Sequence, residues 1–321
     1  MSEPQAAEPA NAASASAPLP GGERRVPGLT PVLRRRARLL FRILSAISPS
    51  LAARTAAYLF VRPRARAISA TEAQFLQTAR ARRLSTSGGT IQLYEWPGEG
   101  PTVLVVHGWI SHAARLQQII QALQAQGLRV LACDAPAHGR SSGRQADLLR
   151  YREALTTVSR ACGPLAAIVA HSFGAMAAVS WLTEDPAAAS VRAAVLVGLP
   201  GDMGYLLESF ILAMGLSEPV VQRLRALFLA RYGRFPEQFS TRALAQAIRI
   251  PVLLVHGAED DLVPLEHARE IAALLCAGQL HVASGLNHSA PLRDPPSVAL
   301  MVSFLAEQLL RSSGARTPRV R

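Results

Sequence analysis

An α/β domain with a mostly parallel central sheet is expected of this 321-residue chain, on three observations. Its apolar runs are short, as in Thr102–Val106 and Leu165–Ala170, the pattern of strands buried on both faces. Longer segments with helical spacing separate those runs, so strand and helix alternate. One junction, Leu165-Ala-Ala-Ile-Val-Ala-His-Ser-Phe-Gly-Ala-Met, passes from strand to helix too tightly for an ordinary loop.

Met1–Gly22 is Ala, Pro, Ser and Glu without apolar periodicity and reads as a disordered tail. It has no basic start followed by an apolar stretch, so a secretory signal is not expected. Residues 23–81 read as a basic helical arm. Arg34, Arg35, Arg36, Arg38 and Arg42 interleave with Leu33, Leu39, Leu40, Phe41, Ile43 and Leu44. Ser48-Pro49 then interrupts, and a second helical run covers Leu51–Phe60. Two readings of the arm stay open. Its arginines, over residues 32–66, can hold it to an anionic membrane surface. Alternatively it packs on the main domain by its apolar face, with the arginines solvated, which needs no lipid and is preferred.

The formal net charge of +12 is a property of this arm. Met1–Gly22 carries −2, Glu23–Ser85 carries +12 and Thr86–Arg321 only +2. No basic patch is interleaved with stacking aromatics, so nucleic acid is not an expected partner. Cys133, Cys162 and Cys276 are widely spaced and give neither a disulfide framework nor a metal motif. Reduced thiols in a cytoplasmic setting, with the inner face of a membrane as the alternative, are the default. Pro164–Thr183 is apolar enough to resemble a membrane span, but its central His171 and Ser172 favour a buried strand and helix.

Residues 82–312 read as the main domain. Arg82–Thr86 and Thr90–Trp96 flank Ser87-Gly88-Gly89 as a hairpin. The strand Thr102–Val106 ends in His107-Gly108-Trp109, and a helix is expected from about Ala113 to Gln126. The strand Leu128–Cys133 leads into the loop Asp134–Ser141, and Asp147–Ala161 is helical. The Ser172 junction follows, then strands at Val191–Val197, Val252–Val255 and Gln279–Val282, with helices near Leu265–Leu275 and Ser297–Leu310. Residues 201–247 interrupt the alternation with helical stripes such as Leu206, Phe210 and Met214. They form an insertion at the end of the sheet where ligands bind in open α/β folds, and they read as an apolar lid. Residues 313–321 are a C-terminal tail.

Ser172 is the candidate nucleophile. Its neighbours two away, Ala170 and Gly174, are small, as a sharp turn requires, and the turn aims a helix N-terminus at the serine oxygen. The bland alternative is that Ser172 only caps that helix. A serine hydroxyl needs a base and a group to orient the base. His288 follows the last strand in Gly285-Leu-Asn-His, and Asp260 follows the strand before it in His256-Gly-Ala-Glu-Asp-Asp-Leu-Val-Pro264. The chain order is serine, acid, histidine. Asp261 and Asp202 are alternative acids. His107, His138, His171 and His256 read as turn-forming residues, and Asp134 as the stabiliser of its own loop.

Four separated motifs, each at a strand end, together resemble the α/β-hydrolase fold family: His107-Gly108-Trp109, Asp134–Ser141, the Ser172 elbow, and Gly257-x-x-Asp260-x-x-Val263-Pro264 with Gly285-x-x-His288. The elbow departs from the family pattern in having Ala170 where glycine is commoner. The resemblance implies a mostly parallel sheet flanked by helices, with a helical lid. It implies Ser172 as nucleophile, His288 as base and Asp260 as its orienting acid, with the backbone N–H groups of Trp109 and Phe173 holding the oxyanion. The implied activity is cleavage of a small apolar acyl ester through an acyl-enzyme, with no metal or organic cofactor. Acyl transfer or thioester cleavage by the same triad, and a catalytically silent membrane-docked module, are the alternatives.

Overall fold

The structure, a computed structural model, describes residues 26–64 and 66–311. The expected tails at 1–22 and 313–321 lie outside the described residues.

The first helices of the described residues are α1 (Pro31–Ile47) and α2 (Pro49–Phe60), broken where expected. Ser48 ends the first helix in an extended conformation, and its hydroxyl accepts from the Leu51 N–H to start the second, with Pro49 in the first turn. A short helix α3 (Ala70–Gln77), not expected from the sequence, is fixed by a reciprocal Ser69–Glu72 capping box. It lies at the end of the segment read as a basic arm, yet its Phe75 and Leu76 are buried in the core, with Phe75 stacked on Trp96.

The hairpin β1 (Arg80–Thr86) and β2 (Gly89–Trp96) follows, then β3 (Thr102–Val106) and a 3₁₀ turn running into α4 (Gln117–Ala125). Next come β4 (Arg129–Asp134), α5 (Leu148–Cys162), β5 (Ala167–His171) and α6 (Phe173–Glu184). β6 (Ala193–Val197) precedes α7 (Met203–Met214), α8 (Glu218–Tyr232) and α9 (Thr241–Ala245), the helices of the expected insertion. β7 (Val252–Gly257), α10 (Leu265–Leu274), β8 (Gly278–Ala283) and α11 (Pro295–Arg311) complete the order.

The eight strands form one sheet in the order β1-β2-β4-β3-β5-β6-β7-β8. Strand β1 pairs antiparallel with β2, β2 pairs antiparallel with β4, and all other pairs are parallel. Successive residues of a strand point to opposite faces, so the unbroken apolar runs feed two cores. Leu104, Ile168, Leu196 and Leu254 meet α5, α6 and α10 on one face. Val105, Val169, Val195 and Val255 meet α3, α4 and α11 on the other. The winding reverses between β3 and β5, and a crevice opens there beyond the carboxyl ends of the strands.

A third apolar cluster settles how the arm sits. Phe41, Ala52, Ala53 and Ala56 of α1 and α2 are buried against Leu207, Phe210, Met214, Val220 and Leu224 of α7 and α8. The alanines let the helices approach closely. Arg38 donates to the carbonyls of Ala213 and Leu212 at the end of α7, and Arg223 of α8 donates to Ser50. The arm therefore packs mainly on the inserted helices rather than on the sheet layers.

Candidate active site

The turn at Ser172 carries backbone strain. Its φ of +53° and ψ of −121° put a non-glycine residue where L side chains rarely sit. The surroundings hold it there: the Ser172 N–H donates to the Val197 carbonyl at 2.8 Å, tying the turn to β6. The hydroxyl makes no capping bond to α6, so the helix-cap reading fails. Gly174 has a separate reason to be glycine, because a Cβ there would lie 2.3 Å from the His107 carbonyl oxygen. Ala170 is fully accommodated inside β5.

His288 lies beyond β8 and Asp260 beyond β7, in loops joined by a Glu259 N–H bond to the Leu286 carbonyl (3.0 Å). His288 Nδ1 is 2.6 Å from Asp260 Oδ2. The other carboxylate oxygen, Oδ1, accepts from the N–H groups of Leu262 and Val263, both at 2.9 Å. His256 stands 3.2 Å from Oδ2 and also bonds the Val263 carbonyl, so it fixes the turn and touches the acid. Burial works to raise the Asp260 pKa, but the hydrogen bonds from His256 and His288 and the nearby imidazole outweigh it, and the carboxyl lies well below its ordinary range. Asp260 thus stays ionised with one oxygen aimed at His288.

The alternative acids are engaged elsewhere. Asp202 caps α7 through the Tyr205 N–H at 2.7 Å and pairs with Arg242. Asp261 is exposed on the loop.

The His288 ring has a built seat. His171 Nε2 donates to the His288 carbonyl at 3.2 Å, and the two rings are 4.8 Å apart. Beneath them is Gly198, at φ +58°, where a Cβ would come 2.9 Å from His288 Cε1. Neither seat residue was assigned that role from the sequence, where only the glycine after an apolar strand and the histidine before the serine are visible.

Trp109 and Phe173 flank the serine, with rings 5.2 Å apart edge to face. Phe173 opens α6, whose first N–H groups have no partner inside the helix. The Trp109 loop is pinned by the Ile110 N–H donating to His138 Nε2 at 3.2 Å, while His138 Nδ1 donates to the Pro136 carbonyl. His107 similarly donates to the Gly108 carbonyl and accepts from the Ala135 N–H. Burial holds His107 at about 4 and His138 and His171 at about 3, so all three are neutral supports. Asp134 accepts from the N–H groups of Ala113 and Arg140 and from Tyr94, the loop role expected of it.

Ser172 and His288 open into one cavity of about 400 Å³. Its walls are apolar: Leu206, Phe210 and Met214 of α7, Phe228 of α8, and, not foreseen, Leu33 of α1 and Leu59 of α2. Tyr205, whose hydroxyl donates to the Leu262 carbonyl, ties this wall to the acid loop.

A strained strand-to-helix turn, a carboxylate–imidazole pair and a crevice at the winding reversal make up the site, and similarity to known proteins gives the class of protein. The family described as serine aminopeptidase, S33, matches residues 100–226. Esterase YjfP of Escherichia coli is 30% identical over 195 residues, 54% of this chain and 74% of that protein. A monoacylglycerol lipase of Mycolicibacterium smegmatis is 26% identical over 244 residues, 63% of this chain and 87% of the other. Among solved structures, an esterase of Pyrococcus furiosus superposes with a TM-score of 0.57 at 20% identity, covering 78% of this chain and 97% of that one. The chain belongs to the α/β-hydrolase family and is a hydrolase.

Proposed function

We propose that this hydrolase cleaves carboxylic esters of apolar acyl groups through an acyl-enzyme. The observation that carries the reading is the meeting of the strained Ser172 and the Asp260-held His288 in one apolar cavity. Ser172 Oγ attacks the ester carbonyl carbon while His288 Nε2 takes its proton. Asp260 accepts from Nδ1–H, sets the tautomer and stabilises the imidazolium. The tetrahedral oxyanion is held by the N–H groups of Phe173 and Trp109, each worth about 3 kcal/mol in the transition state. Collapse expels the alcohol, which takes the proton back from His288. Water, deprotonated by the same imidazole, then attacks the acyl-enzyme; collapse breaks the bond to Ser172 Oγ, which takes that proton back from His288, and the acid is freed. In this scheme the helices between β6 and β7 serve as a lid, with α1 and α2 completing it, over a hydrolase domain that begins near Arg82. The curated relatives named an esterase and a monoacylglycerol lipase are consistent with such a substrate.

The test is hydrolysis of p-nitrophenyl esters of increasing acyl length by wild type and Ser172→Ala. Wild type should turn over, and Ser172→Ala should lose about 10³-fold or more. A folded wild type no faster than Ser172→Ala on every ester would remove simple ester hydrolysis. Thioester cleavage or acyl transfer would then be tested with the same pair.

A further inference from the structure

Helix α1 carries one broad apolar arc, and only part of it is packed. Leu33, Ala37, Phe41 and Leu44 lie on the inward side and pack in the cluster with α7 and α8 or against the cavity. At 100° per residue, Val32, Leu39, Leu40, Ile43 and Ile47 fall together in the part of the arc beside that packed strip. All five are exposed, Ile47 to 71% and Ile43 to 51%. Helix α2 repeats the arrangement: Ala52, Ala53 and Ala56 are buried, while Leu51, Tyr58 and Leu59 are exposed. A helix packed on a protein needs an apolar stripe only where it is covered, and this pair extends its apolar residues well beyond the covered strip. Monomeric soluble proteins rarely expose such a row.

Charge narrows the occupant. Nine arginines and no acid occur from Pro31 to Arg66. Arg35 and Arg42 share one flank of the outward stripe, Arg36 lies within it, and Arg62 sits over the exposed Tyr58 ring at 4.4 Å. A second copy of the chain would bring these cations against each other. An anionic bilayer meets both needs, since acyl chains take the leucines and isoleucines while headgroup phosphates take the guanidinium groups. The contact is peripheral, because no helix among the described residues is long and apolar enough to cross a membrane.

The surface is continuous with the catalytic cavity. Tyr58 and Leu59 are exposed on α2 and also line the cavity that holds Ser172 and His288. We infer that the outward face of α1 and α2 docks flat on an anionic lipid surface, and that Tyr58 and Leu59 are the threshold across which an acyl ester passes from bilayer to cavity. The docking stands on the surface alone; the delivery of an ester rests on the function proposed above.

The test is flotation of the full chain with vesicles of phosphatidylcholine, with and without phosphatidylglycerol. Wild type should float with the anionic vesicles and release as salt rises. A double variant, Ile43→Glu with Ile47→Glu, should bind at least about ten-fold more weakly, melt as wild type does and keep its rate on a soluble short-chain ester. Its rate on an ester embedded in anionic vesicles should fall with its binding. Arg35→Glu with Arg42→Glu should lose the preference for phosphatidylglycerol. Failure of wild type to float overturns the docking even where soluble esters are hydrolysed. So does a wild-type dimer that the Ile43→Glu pair dissociates without any vesicle binding. Floating that the variants abolish, with no ester hydrolysed in any form, keeps the docking and removes the ester reading.

Discussion

Ser172, at φ +53°, is tied to β6 by its N–H and is flanked two residues away by the small Ala170 and Gly174. Asp260→Asn keeps the shape of the acid but removes an acceptor, so His288 loses its defined tautomer. The expected loss is about 10³- to 10⁴-fold in kcat with little change in KM, read from steady-state kinetics. A loss in KM alone would assign Asp260 to substrate binding. Gly198→Ala places a methyl 2.9 Å from His288 Cε1 at a positive φ. Activity should fall by more than the loss of thermal stability accounts for, because the ring must leave its seat. The positions of Ser172, Asp260 and His288 were legible from strand ends and chain order. The seat was not, since a glycine after a strand looks like any other turn residue until the ring above it is seen.

Among the elements, the parallel strands were legible because burial on both faces leaves no polar position, as in Val103–Val106. Helix α3 was not, because eight residues with only Phe75 and Leu76 as large apolar side chains show no periodicity, and the helix is fixed by its capping box and by the stacking of Phe75 on Trp96. The arm was legible as two helices but not as a cavity wall. The apolar arc of α1 is broader than one contact needs, which hides the part of it that is packed. Phe41→Ala tests the assignment: it should destabilise the chain by about 3–5 kcal/mol in denaturant unfolding. Leu40→Ala, one residue away on the outward face, should change stability by less than about 0.5 kcal/mol. Equal effects would mean that α1 is packed differently.

At the scale of the whole molecule, three distant stretches enclose one site: the arm, the strand ends and the inserted helices. The imidazoles beneath it set an acid limit on that assembly. His107, His138 and His171 have folded pKa values of about 4, 3 and 3, below the value of about 6.5 for a free histidine. Between those limits the unfolded chain binds protons that the folded chain refuses. Stability therefore falls as pH drops through 6.5 toward 4. The melting temperature should decline steadily across that window, and a flat profile would mean that these rings are protonated in the folded protein. Whether the serine at the end of β5 is activated can be read by treating the folded chain with a fluorophosphonate and locating the adduct by peptide mass spectrometry. One adduct is expected, on Ser172, formed quickly in wild type and far more slowly in His288→Ala. A folded chain with no adduct at Ser172, or with labelling unchanged by loss of His288, would contradict it.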